Sequence, residues 1–351
     1  MKLTDYFDKH KEIISKHLTT FLEERRKNSP DNVTDHYYRL SDFTIRGKML
    51  RGIFVILAFE AYGGKVNENV LNAAAAMEMA QASFLIHDDI MDRDLLRRGR
   101  DTIFAQYIEE GKIQKVRNPE FYGQSMGIVS GDLTILMSYE LLSLSSGVTK
   151  ISNNIVTLAA REMQNVALGQ FMDYVFGQTH SEPSEDQILT MYEYKTGGYT
   201  FALPFIIGAL LAGANDREIA QLNKMGRYLG TIFQIKDDEM AIFEDEEKIG
   251  KPVGSDIREN KKTLIRCLLY KKATNEESRF LDSCFGNQKI TQQNIKELQD
   301  VIIKYHIRDE IHERVENLSQ KALQIIQTFN IVPEYNLLFK ELEHYNKTRS
   351  T

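Results

Sequence analysis

Apolar residues recur every three or four positions through most of this 351-residue chain, and no run of alternating, turn-bounded segments interrupts them. With only six prolines and no tryptophan, long unbroken helices are allowed. The pattern predicts an all-α fold. A strong signal is Asn69 to Asp92, where Ala73 to Ala76 raise helix propensity and Met77, Ala80, Phe84 and Ile86 supply an apolar side. Further helices are expected at about 48–62, 124–145, 150–177, 184–195, 199–213, 216–243, 262–274, 291–305 and 307–346, the last interrupted near Pro333. Ser184 with Gln187 and Asn215 with Glu218 have the spacing of helix-starting caps. Gly111 to Glu120 and Glu244 to Asn260 read as loops, and Lys195-Thr196-Gly197-Gly198 as a break between helices. No stretch rich in Pro, Gly or Ser divides the chain, so 1–351 is read as a single domain.

Composition removes several function classes. A net charge of −6 offers no general attraction to nucleic acid or anionic lipid. Cys267 and Cys284 fit neither a disulfide framework nor a thiolate zinc cage, which points to the reducing cytoplasm. The opening MKLTDYFDKHKE has no apolar signal core, and the longest apolar stretch, Phe201 to Ala214, is broken by Pro204 and falls short of the roughly 18 residues of a membrane span.

An internal echo carries the chemistry. FLIHDDIMD (Phe84 to Asp92) and FQIKDDEMA (Phe233 to Ala241) agree at Phe, Ile, both Asp and Met, each at the end of an apolar helix. Asp88 and Asp92 are four apart and share a helix face, with Asp89 on its flank. Like charges stacked at the negative end of a helix dipole are doubly unfavourable unless cations join them. Oxygen ligands without His or Cys select Mg²⁺ or Ca²⁺, and Mg²⁺ commonly completes its shell with substrate phosphates. Basic residues that suit a diphosphate follow: Arg97-Arg98-Gly99 after the first motif, Gly47-Lys48-Met49-Leu50-Arg51 at an early helix, Lys195 at the expected break, and Lys251 and Lys261 after the second motif.

From about Arg46 to Thr263, with the motifs in order, the sequence resembles the trans-isoprenyl diphosphate synthases that make farnesyl, geranylgeranyl and polyprenyl diphosphates. The resemblance implies a bundle of antiparallel helices around a deep central cavity, a homodimer, and three Mg²⁺ ions bridging two aspartate walls through an allylic diphosphate such as dimethylallyl, geranyl or farnesyl diphosphate. It assigns Asp88, Asp92 and Asp237 to metal, with Asp89, Asp173 and Asp238 as supporting acids. Arg97, Lys195, Lys251 and Gln170 fall to the allylic diphosphate, and Lys48, Arg51, Gln81 and Arg98 to isopentenyl diphosphate. Lys195, Thr196 and Gln234 would direct oxygen dipoles at the allylic carbocation, while Asp256, Glu259 and Lys261 match a trailing family element. The family pattern makes released pyrophosphate the proton acceptor; His87, beside the first Asp, is either a base or a helix-packing residue.

Two positions depart from the pattern. Ala241 replaces the third Asp of the second motif, leaving Asp237 as its principal ligand, and Gly52 replaces the proline after Arg51, a change that adds or removes no ligand and is expected to matter little. Ser83, Phe84 and Ala80, with Ala76 deeper, descend from Asp88 towards where a product tail would lie. Short-chain relatives put an aromatic residue at the position of Ser83, so the expected product is the twenty-carbon geranylgeranyl diphosphate, with fifteen carbons, or twenty-five and longer, as alternatives. Equally, Ser83 and Ala80 could serve only close helix packing. A terpene cyclase or a non-catalytic partner subunit are the competing readings; the isopentenyl diphosphate residues oppose the first, and Ala241 alone hints at the second.

Overall fold

A computed structural model describes residues 2–179, 181–244 and 254–349. The fold is all-α, as the periodicity requires. The helices are α1 (Leu3–Lys27), α2 (Asp35–Ile45), α3 (Leu50–Ala61), α4 (Glu68–Asp92), α5 (Ile103–Ile113), α6 (Pro119–Ser143), α7 (Thr149–Gln178), α8 (Glu185–Tyr192), α9 (Leu203–Leu211) and α10 (Asp216–Phe243). They continue with α11 (Ser255–Arg258), α12 (Leu264–Lys272), α13 (Asn275–Cys284), α14 (Gln292–Lys304), α15 (Ile307–Ile326) and α16 (Pro333–Thr348). The only sheet among the described residues is a hairpin of β1 (Leu96–Arg97) and β2 (Arg100–Asp101).

Among the described residues five helices go beyond the sequence expectation: α1, α2, α5, α13 and the short α11, which lies in the stretch read as a loop. α1 is amphipathic, burying Leu3, Tyr6, His10, Ile14, Leu18 and Leu22 at three- and four-residue steps. The expected loop at 111–120 shrinks to the residues between Ile113 and Pro119, where Asn118 caps α6 by accepting from Phe121 N–H. Ser184 and Gln187 do form a reciprocal capping box at the start of α8. Lys195-Thr196-Gly197-Gly198 is not a break. A π-helical stretch, Glu193–Ala202, carries the chain without interruption from α8 into α9.

The chain forms two compact units, one of residues 1–158 and 204–215, the other of 159–203 and 216–351. In the first unit α4 is buried on nearly every side, with Ala73 to Met77, Met79 and Ala80 inaccessible. Small residues let its neighbours close in. Gly123, Gly127 and Gly131, one turn apart on α6, leave room for Ile108 of α5 and for Ile90 and His87 of α4; a Cβ on Gly131 would lie 2.2 Å from His87 Nε2. Hydroxyls secure the same contact: Ser138 donates to Ala76 O and Ser83 to Gly131 O, each at 2.8 Å. α3 and α9 meet through Phe54 and Phe205, ring centroids 5.1 Å apart. In the second unit α10 is the central element, burying Leu222, Met225, Leu229, Ile232 and Ile235. α16 joins it where buried Asn346 donates to Leu229 O at 2.7 Å.

Candidate active site

In the first unit the acidic end of α4 meets the hairpin. Asp89 is fully buried and Asp88 and Asp92 are partly so. The two-residue turn Arg98-Gly99 has positive φ at both positions (53° and 71°), the backbone that matches the twist of a tight hairpin. It pairs Leu96 with Asp101 and Arg97 with Arg100, which turns Arg97 back onto the carboxylates. Arg97 Nε donates to Asp89 Oδ1 at 2.5 Å, and its Nη2 stands 3.6 Å from Asp88 Oδ2 and 3.9 Å from Asp94 Oδ2. Burial, opposed by Arg97, pushes the Asp89 carboxyl up to about 7, and its second oxygen has no hydrogen-bond partner. Asp89 therefore acts as a buried seat for Arg97, while Asp88 keeps the more exposed oxygens.

A second group in this unit surrounds the start of α3. Gly52 N–H donates to Glu78 Oε1 at 2.7 Å, and Arg51 and Arg98 both act on that carboxylate, which burial pushes up against their pull. A Cβ on Gly47 would lie 2.8 Å from Arg98 Nη1, so the glycine is what admits the guanidinium. The structure thus brings Gly47, Arg51, Glu78 and Arg98 together; Lys48 is exposed nearby in sequence, and Gln81 lies on α4, half-buried. Glu78 was not among the residues singled out from the sequence, because an acid on a basic diphosphate site is signalled by nothing in its spacing. Gly52 corrects an expectation. Its N–H is used and a Cβ would lie 2.9 Å from Ala74 O, so the usual proline would lack the donor and crowd α4.

Ser83 is buried against α6 with its hydroxyl on Gly131 O, Ala80 is inaccessible and Phe84 is half-buried. His87 also rests on α6, with Nε2 3.2 Å from Ile128 O, the placement expected of a packing residue.

In the second unit the π-helical stretch places two consecutive side chains on different partners. Lys195 Nζ donates to Asp173 Oδ2 of α7 at 2.5 Å, and Lys261 Nζ reaches the same oxygen at 3.4 Å. Burial works against the Asp173 charge, yet the two ammonium groups hold this carboxyl below its usual range. Thr196 donates to Gln234 Oε1 at 2.7 Å, and Gln234 Nε2 donates to Asp238 Oδ1 at 2.9 Å. Tyr192 donates to the other Asp238 oxygen and accepts the N–H of Leu264 at 2.8 Å. Asp238 is wholly enclosed, and burial, reinforced by Asp256, pushes its carboxyl far up. It holds the network and is closed to metal. Asp237 is the exposed member of the pair, and Ala241 is buried, pointing a methyl where the first motif has an acid. Gln170 is half-buried on α7, and Lys251 lies outside the described residues.

Among the described residues no three His, Cys, Asp or Glu side chains cluster closely enough to hold a metal alone. One or two carboxylates that leave positions for phosphate oxygens are a donor set Mg²⁺ accepts, and Asp88 with Asp92 in the first unit, and Asp237 by itself in the second, each fit it. No helix among the described residues is long and apolar enough to cross a membrane.

A family model described as polyprenyl synthetase matches residues 35–302. A geranylgeranyl diphosphate synthase of Sulfolobus acidocaldarius is 29% identical over 304 residues, 86% of each chain. A short chain isoprenyl diphosphate synthase of Methanocaldococcus jannaschii is 31% identical over 292 residues, 83% of each. The crystal structure of geranylgeranyl pyrophosphate synthase from Corynebacterium glutamicum, complexed with isoprenyl diphosphate and magnesium, superimposes with a TM-score of 0.91 at 28% identity, covering 98% of this chain and 99% of that one.

Proposed function

This chain belongs to the polyprenyl synthetase family and is a trans-prenyltransferase, and from that premise we propose that it condenses isopentenyl diphosphate head to tail (1′-4) with an allylic diphosphate, giving geranylgeranyl diphosphate. One observation carries the reading: an acidic helix end and a two-arginine turn locked together by the Arg97–Asp89 pair, beside a glycine that makes room for the second arginine.

Asp88, Asp92 and Asp237 would hold Mg²⁺, three ions per site, whose chemistry when bound is to neutralise the diphosphate as its C–O bond breaks. Arg97, steadied by Asp89, binds the allylic diphosphate with Lys195, Gln170 and Lys251. Lys48, Arg51, Gln81 and Arg98 bind isopentenyl diphosphate, with Glu78 fixing the start of α3. Thr196 and Gln234 are held by the Asp238 and Tyr192 network, so their oxygens are set before charge develops on the allylic carbon. Ser83, Phe84 and Ala80 set product length. The two units act as a single catalytic domain. Exposed Phe121, Val129 and Leu136 on α6 support a homodimer, and the composition supports a cytoplasmic enzyme.

The test is a product assay on purified protein with dimethylallyl, geranyl or farnesyl diphosphate, labelled isopentenyl diphosphate and Mg²⁺. A longer diphosphate is expected; released hydrocarbon would indicate a cyclase, and no turnover a scaffold. Asp88→Ala and Asp237→Ala should each lower kcat about a thousandfold, since they remove charge compensation used mainly in the transition state. Near-normal rates at saturating Mg²⁺ would refute the assigned roles.

A further inference from the structure

The end of the chain delivers a cation to the second acidic motif. After Asn346 anchors α16 to Leu229 O, the helix stops at Thr348 and Arg349 turns extended, with φ −58° and ψ 137°. Its guanidinium lies over the Phe233 ring, 3.8 Å from the centroid, and places Nη1 3.0 Å from Asp237 Oδ1. Leu229, Phe233 and Asp237 are successive turns of α10, so the terminus follows one stripe of that helix to its acidic end. The Arg349 side chain is only 10% exposed although it lies just beyond the end of α16. Among the described residues its Nε and Nη1 make no aligned hydrogen bond. Charge and the aromatic face therefore hold it, and both are interactions that a stronger cation can outcompete.

The placement answers an electrostatic need. Asp237 sits in the last turns of α10, at the negative end of the helix dipole. A guanidinium keeps its charge at every working pH and coordinates no metal. It can compensate Asp237 only while a metal ion is elsewhere.

We propose that Arg349 is a resident counter-ion of the second acidic motif, displaced when a divalent ion reaches Asp237, so that it sets the affinity of that motif for metal. The inference rests on Asp237 being a metal ligand, as given under the proposed function. Nothing in it requires Arg349 to touch substrate.

The experiment is Mn²⁺ binding to the full-length protein in the presence of a saturating unreactive prenyl bisphosphonate, which supplies the phosphate oxygens the carboxylates leave open, followed by loss of the free-ion EPR signal against a protein-free control. Arg349→Gln should tighten the Asp237-dependent site about fivefold, the scale of one partly exposed ion pair. A chain ending at Thr348 should show the same tightening, and Arg349→Lys should stay within about twofold of the parent because its charge remains. Asp237→Asn should remove that site in both the parent and the Arg349→Gln background. If both the Gln variant and the shortened chain bind Mn²⁺ as the parent does while Asp237→Asn loses a site, the counter-ion role is overturned and the ligand role of Asp237 stands. If Asp237→Asn itself changes nothing, the ligand reading fails and takes the inference with it. Melting curves identify a misfolded variant, and the shortened chain then decides.

Discussion

Removing one oxygen atom, in Tyr192→Phe, probes the buried network behind the catalytic dipoles. The hydroxyl donates to Asp238 and accepts the Leu264 N–H at 2.8 Å, and both groups are enclosed. Without it the N–H is left unsatisfied, at a cost of about 1–3 kcal/mol, and Asp238 loses a bond to a carboxyl group worth about 1.5–3 kcal/mol. The sum is about 4 kcal/mol, and for a chain of 351 residues unfolding together that lowers Tm by about 5 °C. Asp238 would retain only Gln234 as a side-chain partner in this network, so the amide that Thr196 addresses loses its fixed orientation. The expected kinetic outcome is a kcat about tenfold lower with both KM values within about twofold, the signature of a group that orients without binding substrate. Asp238→Asn keeps the side-chain shape and one carbonyl acceptor, so it should destabilise less, and a double-mutant cycle with Tyr192→Phe should give a coupling of about 2 kcal/mol. Scanning calorimetry and initial rates provide the readouts. A Tyr192→Phe protein melting within about 1 °C of the parent with unchanged kcat would show that this hydroxyl neither seals nor positions anything.

Three further outcomes follow from the first unit. Gly47→Ala puts a methyl 2.8 Å from Arg98 Nη1, so KM for isopentenyl diphosphate should rise about tenfold while KM for the allylic substrate holds; equal effects on both would refute the placement of Arg98. Ser83→Phe should shorten the product as resolved by chromatography, together with overpacking against Gly131 of about 1–3 kcal/mol; unchanged chain length would show that Ser83 serves only the contact with α6. Burial pushes His36 down to about 4, so in acid the unfolded chain takes up a proton that the folded chain refuses: stability should fall as pH drops below about 6.5 and level out below about 4, by up to about 3 kcal/mol. In His36→Gln the pH dependence of urea midpoints should flatten over that window, and a parental slope there would exclude His36 as its source.

The acidic motifs, the all-α class and the two longest helices, α7 and α10, were legible because each is written in periodicity or in residues with few alternative uses. Asp216–Phe243 was anticipated to the residue. α1 was missed because its charged face dilutes an apolar stripe that only the pattern of buried Tyr6, His10 and Ile14 makes plain. The hairpin was missed because a two-residue turn of Arg98-Gly99 needs positive φ from an arginine, which a reader expects of Asn or Asp. Glu78 and Arg349 were hidden for another reason. Each does its work through a partner far away in sequence, Gly52 in one case and Asp237 in the other, and no local pattern encodes such a pair. The Gly-Gly of the π-helical stretch was read as an ending because glycine ordinarily disfavours helix, whereas here tight packing against α10 overrides that preference.

That wide-wound stretch from Glu193 to Ala202 also makes the enzyme vulnerable in a particular way. Excising one residue from it would restore ordinary α-helical winding, shifting everything on one side by about 100° and parting Lys195 or Thr196 from its present partner. The resulting protein would present buried Tyr199 and Phe201 in the wrong register, so it should melt earlier than the parent as well as lose activity. A single codon loss here would therefore cost stability and activity together.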